Sequence, residues 1–154
     1  KLGFRRMDLS LSLNAATDAK RDKLMPVNRR FPLKTLQEAL VSWPRRKGFV
    51  FAVNYCLLPG FNDTREDAAA VAEFCRPPDR VLVNVIPYNP GNKPLTRPPT
   101  EQEVATFIDW LMQEGLPVRR RRTRGRSVMA ACGQLGNKEL RKSLKRLPVI
   151  PSTD

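Results

Sequence analysis

Leu9, Leu11 and Leu13 alternate with Ser10, Ser12 and Asn14. That period of two predicts a strand within Met7 to Ala15, apolar on one face and lined with small polar groups on the other, as suits a strand beside a ligand cavity. Thr17 or Asp18 is placed to cap a short helix through Leu24, which ends near Pro26. Leu33, Leu36, Leu40 and Trp43 recur at helical spacing and predict a second helix from Leu33 to Trp43, stopped by Pro44. Phe49 to Leu58 is almost continuously apolar, the pattern of a strand buried on both faces in a parallel sheet. Pro59-Gly60 turns the chain, and Thr64 with Asp67 opens a helix reaching about Cys75. Val81 to Ile86 predicts another buried strand, followed by a loop rich in Pro and Gly as far as Pro99. Thr100 and Glu103 form a capping box for a helix that buries Val104, Phe107, Ile108 and Leu111 and ends at Gly115. Val118 to Thr123 predicts one more strand, very basic.

Strands alternating with helices through short connections imply right-handed βαβ units and a parallel α/β sheet. So few strands without a terminal cap read as part of a larger barrel or doubly wound sheet, and a partial barrel is the expectation. After Thr123 neither period holds. Arg124-Gly125-Arg126-Ser127 and Ala130-Ala131-Cys132-Gly133-Gln134 read as a loop. Asn137 then caps a basic helix with Leu140, Leu144 and Leu147 inward and Lys138, Arg141, Lys142 and Lys145 outward. The expected division is therefore 1–123 for the βα units and 124–154 for the cysteine loop and basic helix. The first residue is Lys1 and no signal-peptide core follows, so the chain is expected to begin inside a longer protein.

Charge sharpens the picture. The chain has 154 residues and a net charge of +13, from 28 Lys and Arg against 15 Asp and Glu. Clustering of that excess in the last quarter favours a nucleic-acid partner over an acidic membrane surface, and no apolar run is long enough to span a bilayer. There is no histidine, which removes Ser-His and Cys-His nucleophile arrangements and the commonest zinc ligand. The cysteines are Cys56, Cys75 and Cys132, too far apart for a CxxC clip and odd in number, as expected for reduced thiols in the cytoplasm. Cys56, in an apolar strand, and Cys75, beside Phe74 on a helix, read as core thiols.

Four segments, in this order, resemble the second half of the RlmN/Cfr-type radical-SAM RNA methyltransferases. They are Ser10-Leu11-Ser12-Leu13-Asn14-Ala15-Ala16-Thr17, Leu24-Met25-Pro26-Val27-Asn28-Arg29, Asn84-Val85-Ile86-Pro87-Tyr88-Asn89-Pro90, and Arg122-Thr123-Arg124-Gly125 leading into Ala130-Ala131-Cys132-Gly133-Gln134-Leu135. The resemblance covers about Leu9 to Leu135 and implies the C-terminal part of a partial (β/α)6 barrel. It implies S-adenosylmethionine contacts at Ser12, Leu13, Asn14 and Asn89, and a methyl-carrying cysteine at Cys132. It also implies a 4Fe–4S cluster, 23S ribosomal RNA as substrate with transfer RNA as a further candidate, and an electron donor such as flavodoxin or ferredoxin. Three positions depart from the pattern. Asn14 stands where many members have His, Asn54 where a Glu is usual, and Arg126-Ser127-Val128-Met129 where an acidic run is common. The cluster motif CxxxCxxC is not in this chain, so it is expected to be inactive alone.

The implied reaction methylates C2 of adenine. Such a ring carbon is not a nucleophile, and the family solves this by placing the methyl on a thiolate first and activating it as a carbon radical. Arg122, Arg124 and Arg126 lie close in sequence to Cys132 and favour its thiolate, and Ala131 and Gly133 allow close approach. The resolving cysteine implied by the family lies outside this chain, so neither Cys56 nor Cys75 is assigned that part. Two alternatives stay open at this level: a C8-directed enzyme conferring antibiotic resistance, and a non-catalytic basic RNA-binding module.

Overall fold

The structure, a computed structural model, describes residues 9–44, 48–90 and 94–121. Four strands form one parallel sheet in chain order: β1 (Ser10–Ser12), β2 (Phe51–Leu57), β3 (Val81–Pro87) and β4 (Val118–Arg120). Between them run α1 (Asp18–Leu24), a 3-10 turn (Pro26–Arg29), α2 (Leu33–Ser42), α3 (Arg65–Cys75) and α4 (Glu101–Gln113). The register sets Ser12, Asn54, Asn84 and Arg119 level across the sheet.

Alternation decides which side chains meet the helices. Phe51, Val53, Tyr55 and Leu57 of β2 and Val81, Val83 and Val85 of β3 are buried against Leu33 and Leu40 of α2, Val71 and Phe74 of α3, and Val104, Phe107 and Leu111 of α4. Tyr55 stacks on Phe107 with ring centroids 5.2 Å apart. The opposite face carries Ala52, Asn54, Cys56, Leu82 and Ile86, all half-buried. A strand pair buried on both faces is therefore not what forms. The core helices lie on one side of the sheet, so only one of the two apolar sets is packed away. The same geometry corrects Cys56, which sits on the open face and is half-buried, whereas Cys75 is in the core and burial pushes its thiol up to about 12. A doubly wound sheet carries helices on both faces, whereas a barrel arc carries them outside only. The one-sided layer thus fits a partial barrel.

Local chemistry sets the helix starts. Thr64 and Asp67, and Thr100 and Glu103, both form reciprocal capping boxes. Asp67 also holds Lys20 of α1 at 2.7 and 2.8 Å, tying α1 to the start of α3. Thr17 occupies the cap position of α1 without a side-chain cap bond. β4 ends at Arg120, and Arg120 pairs with Glu101 at 2.6 Å.

Glu103 is also gripped by both guanidinium ends of Arg97. Arg97 first, and then the Thr100 N–H, hold its carboxyl down at about 2. A depressed carboxyl stabilises the fold above its unfolded value of 4.5, and that contribution is lost as pH falls through about 2. Denaturant midpoints measured between those limits should fall with acid, and Glu103→Gln should flatten part of that slope. An unchanged slope in the variant would show that the Arg97 pair is screened away by solvent.

Candidate cofactor site at the strand ends

In parallel α/β sheets the binding crevice lies outside the carboxyl ends of the strands, and the polar groups of this chain collect there. Ser12 is exposed at the end of β1. Leu13 points the other way. Its side chain is fully buried in the core. Its N–H donates to the Asn54 carbonyl at 2.9 Å, and its own carbonyl accepts from Ala15 N at 2.8 Å and Arg21 Nε at 3.0 Å. Leu13 therefore serves the site from beneath, with both backbone groups already engaged.

Asn14 ends the strand in the left-handed region, with φ 58°. Asn tolerates that conformation better than most residues because its short amide can bond locally. Its Oδ1 accepts the Cys56 N–H at 3.0 Å, which ties the end of β1 to β2. Among the described residues its Nδ2 meets only the Met25 sulfur, at 3.5 Å. A thioether is a weak acceptor and an amide NH2 carries two protons, so Asn14 keeps donor capacity for a ligand.

Asn62 organises these ends, and nothing in its sequence context set it apart from an ordinary turn residue after Gly60-Phe61. It is fully buried. Its Nδ2 donates to the carbonyls of Asn14 at 2.7 Å and Cys56 at 2.8 Å. Its Oδ1 accepts Leu58 N at 2.7 Å, and its backbone carbonyl accepts the Tyr55 hydroxyl at 2.8 Å.

A second buried hub lies under β1. Arg21, 3% exposed, donates through Nη2 to the Ser12 carbonyl at 3.1 Å and through Nη1 to Asn28 Oδ1 at 2.7 Å, besides its bond to Leu13. Asn28 then donates to Asp18 at 2.8 Å and Asp22 at 2.7 Å. Asp18 is held below the usual carboxylate range by the Leu33 N–H, by Asn28 and by Arg21. Burial draws the Arg21 pKa down, opposed by Asp18 and Asp22. Position 28 lies within one of the resembling segments, yet only the fold shows what its amide does.

On the open face Asn84 Nδ2 donates to Asn54 Oδ1 at 3.0 Å, and Asn54 Nδ2 donates to the Ser10 hydroxyl at 2.7 Å. Asn54, the unassigned departure from the family pattern, thus bridges three strands with neutral groups. Asn89 stands two residues past the end of β3, and its Nδ2 is buried without a hydrogen-bond partner among the described residues. β1 and β3 flank β2, so Asn14 and Asn89 approach the crevice from strands about 10 Å apart. Cys132 and the basic helix lie outside the described residues.

S-adenosylmethionine presents an amino-acid group, ribose hydroxyls and an adenine edge, which call for amide and hydroxyl partners. The exposed Ser12 hydroxyl, the spare Asn14 donor and the orphaned Asn89 donor supply them, so the residues fit this cofactor. They do not fit an iron–sulfur cluster. Among the described residues no group of three His, Cys, Asp or Glu side chains could hold a metal.

Comparison with known proteins shows what the chain is similar to. The chain is 45% identical over 128 residues to a dual-specificity RNA methyltransferase RlmN of an Anaeromyxobacter species. It is 37% identical over 144 residues to a probable dual-specificity RNA methyltransferase RlmN 1 of Protochlamydia amoebophila. These relatives are RlmN-type RNA methyltransferases, and the chain is similar to a part of each. It matches the C-terminal part of such proteins, spanning 33% and 40% of those two relatives while 82% and 93% of its own length is matched. A radical SAM methyltransferase of Sphaerobacter thermophilus has the same fold, with a TM-score of 0.78 at 32% identity over 84% of this chain and 38% of that one. No family model matches the chain. The Sphaerobacter neighbour carries the rest of its structure outside the matched part.

Proposed function

We propose that the chain is the C-terminal part of a radical-SAM methyltransferase acting on C2 of an adenine in 23S ribosomal RNA, with transfer RNA as a second substrate, and that Cys132 carries the methyl group as a thioether. Ser12, Asn14 and Asn89 hold S-adenosylmethionine, and Leu13 packs beneath them. The observation that carries this reading is the buried, unpartnered Nδ2 of Asn89 at the carboxyl end of the sheet. A native donor left orphaned costs about 1–3 kcal/mol, which a bound acceptor would recover. Asn14 adds a donor from the neighbouring side, on a strand end that Asn62 and Arg21 lock in place.

Bound there, S-adenosylmethionine supplies the methyl group and the radical chemistry that an unactivated ring C–H requires. The chain's own residues orient it through amide and hydroxyl contacts. Cys132 must be a thiolate to take a methyl, and Arg122, Arg124 and Arg126 favour that form. Residues 124–154 supply the methyl-carrying cysteine and, together with Arg119 to Arg122, the cations that meet RNA phosphates. The cluster and its flavodoxin- or ferredoxin-type electron donor belong to protein outside this chain, and RNA substrates of this kind imply work in the cytoplasm.

Peptide mass spectrometry of the intact protein, expressed with iron and S-adenosylmethionine available, should find S-methylcysteine at 132. Cys132→Ala should reduce methyladenine formation to background, and chromatography against 2-methyl- and 8-methyladenosine standards reads the position. Normal product from the Cys132→Ala variant removes Cys132 from the mechanism. An 8-methyl product replaces the C2 assignment.

A further inference from the structure

We propose that the exposed surface of the turn between α1 and α2, built by Val27, Arg29, Arg30 and Phe31, is a docking platform for single-stranded RNA beside the cofactor site. The platform rests on the RNA-methyltransferase function proposed above, and adds to it a second place where the substrate strand is held.

Four observations converge on it. Val27 and Phe31 are large apolar side chains left 53% and 44% exposed. The Arg30 guanidinium sits over the Phe31 ring, 5.4 Å from its centroid. Residues 23–34 carry Lys23, Arg29, Arg30 and Lys34 and no carboxylate, so the surface is uniformly cationic. Neither Arg29 nor Arg30 has an ion-pair partner among the described residues. The nearby Asp18 and Asp22 carboxylates are turned to the buried Asn28 amide and form no ion pair with Arg29 or Arg30 among the described residues.

The turn is also rigid and well placed. Asn28, 1% exposed, anchors it from inside through Arg21, which in turn grips the Ser12 and Leu13 carbonyls. Met25 touches the Asn14 amide directly. A strand of RNA resting on this turn is therefore referenced to the same β1 end that faces the cofactor.

The chemistry selects the partner. Unpaired guanidinium groups meet phosphates, and an aromatic ring with a stacked guanidinium offers a flat surface to an unstacked base. Protein partners with acidic faces would satisfy the charges but would not need a stacking pair. Single-stranded RNA uses both. An adenine about to be methylated must leave its stack, so unpaired neighbours are available to such a platform.

Fluorescence anisotropy of this chain with a short labelled single-stranded RNA, titrated over a salt series, tests the proposal. Arg29→Ala combined with Arg30→Ala should make the slope of log affinity against log salt shallower by about 1.4, from about 0.7 per phosphate contact. Phe31→Ala should weaken binding by about ten-fold and leave the slope unchanged. Arg76→Glu, at the exposed end of α3 on the far side of the strands, removes as much positive charge as the double variant and should change the slope little. Circular dichroism confirms that each variant is folded. If wild-type protein binds and the double variant keeps its slope, or Arg76→Glu matches it, the platform is wrong while the RNA function stands. If wild-type protein binds no RNA, the platform is wrong, and the function proposed above is judged separately by the methyladenine assay of the intact Cys132→Ala variant.

Discussion

Asn62→Ala is expected to lower the stability of the protein by about 3–5 kcal/mol, since each buried group left without its partner costs about 1–3 kcal/mol. The side chain is completely buried, and its amide serves Leu58 N, the Asn14 carbonyl and the Cys56 carbonyl at 2.7–2.8 Å. Alanine satisfies none of them. Water cannot easily replace the amide at a position with no exposure. Denaturant unfolding reads the effect as a drop in midpoint with the slope unchanged. Asn62→Asp separates the two halves of the amide. A carboxylate still accepts Leu58 N but cannot donate to the two carbonyls, so most of the loss should remain. A loss below about 1 kcal/mol in Asn62→Ala would mean that the strand ends relax around the gap, and Asn62 would not be their organiser.

Arg21→Met should be comparably damaging, at about 3–5 kcal/mol, because it removes one partner from a buried charged network. Methionine fills similar space but takes the Arg21 donor from the Ser12 carbonyl and Asn28 Oδ1, leaves the Leu13 carbonyl with Ala15 N alone, and strips Asp18 and Asp22 of their counter-charge. Arg21→Lys should recover little. An ammonium cannot present the planar fork that reaches three acceptors at once. The pH profile distinguishes this from simple loss of packing. With the Arg21 cation gone, Asp18 loses one of the causes that depress its carboxyl, so the acid end of the stability curve should move to higher pH. A Met variant with wild-type stability and an unmoved acid limb would show the network to be dispensable.

The two hubs explain why the departures from the family pattern leave a coherent site. Asn in place of the usual His at 14 fits a left-handed strand end, accepts the Cys56 N–H and keeps an amide donor in reserve. Asn in place of the usual Glu at 54 joins Ser10 and Asn84 through uncharged groups.

Hydrophobic spacing located the elements well. The Thr64–Asp67 and Thr100–Glu103 pairs marked helix starts because capping is a local bond between residues close in sequence. Faces were harder. Cys56 and Ile86 look as deeply buried as Val53 and Val85 when only their side chains are considered, and the difference lies in which side the helices take. Arg21 and Asn62 carry no local signal that sets them apart in the sequence. Their partners lie in other segments: Arg21 reaches back to Ser12 and Leu13, and Asn62 joins carbonyls at 14 and 56.

What the sequence by itself determined is the order and kind of the elements, the parallel sheet, the cationic character and the segments that resemble one family, since periodicity, capping and motifs act over a few residues. Tertiary structure alone decided which strand face stays open, which amides are buried and bonded, and that Asn89 keeps a donor without a partner among the described residues. Those facts depend on which distant groups come within hydrogen-bonding distance. Only the packing of α2, α3 and α4 against one side of the sheet brings those groups together.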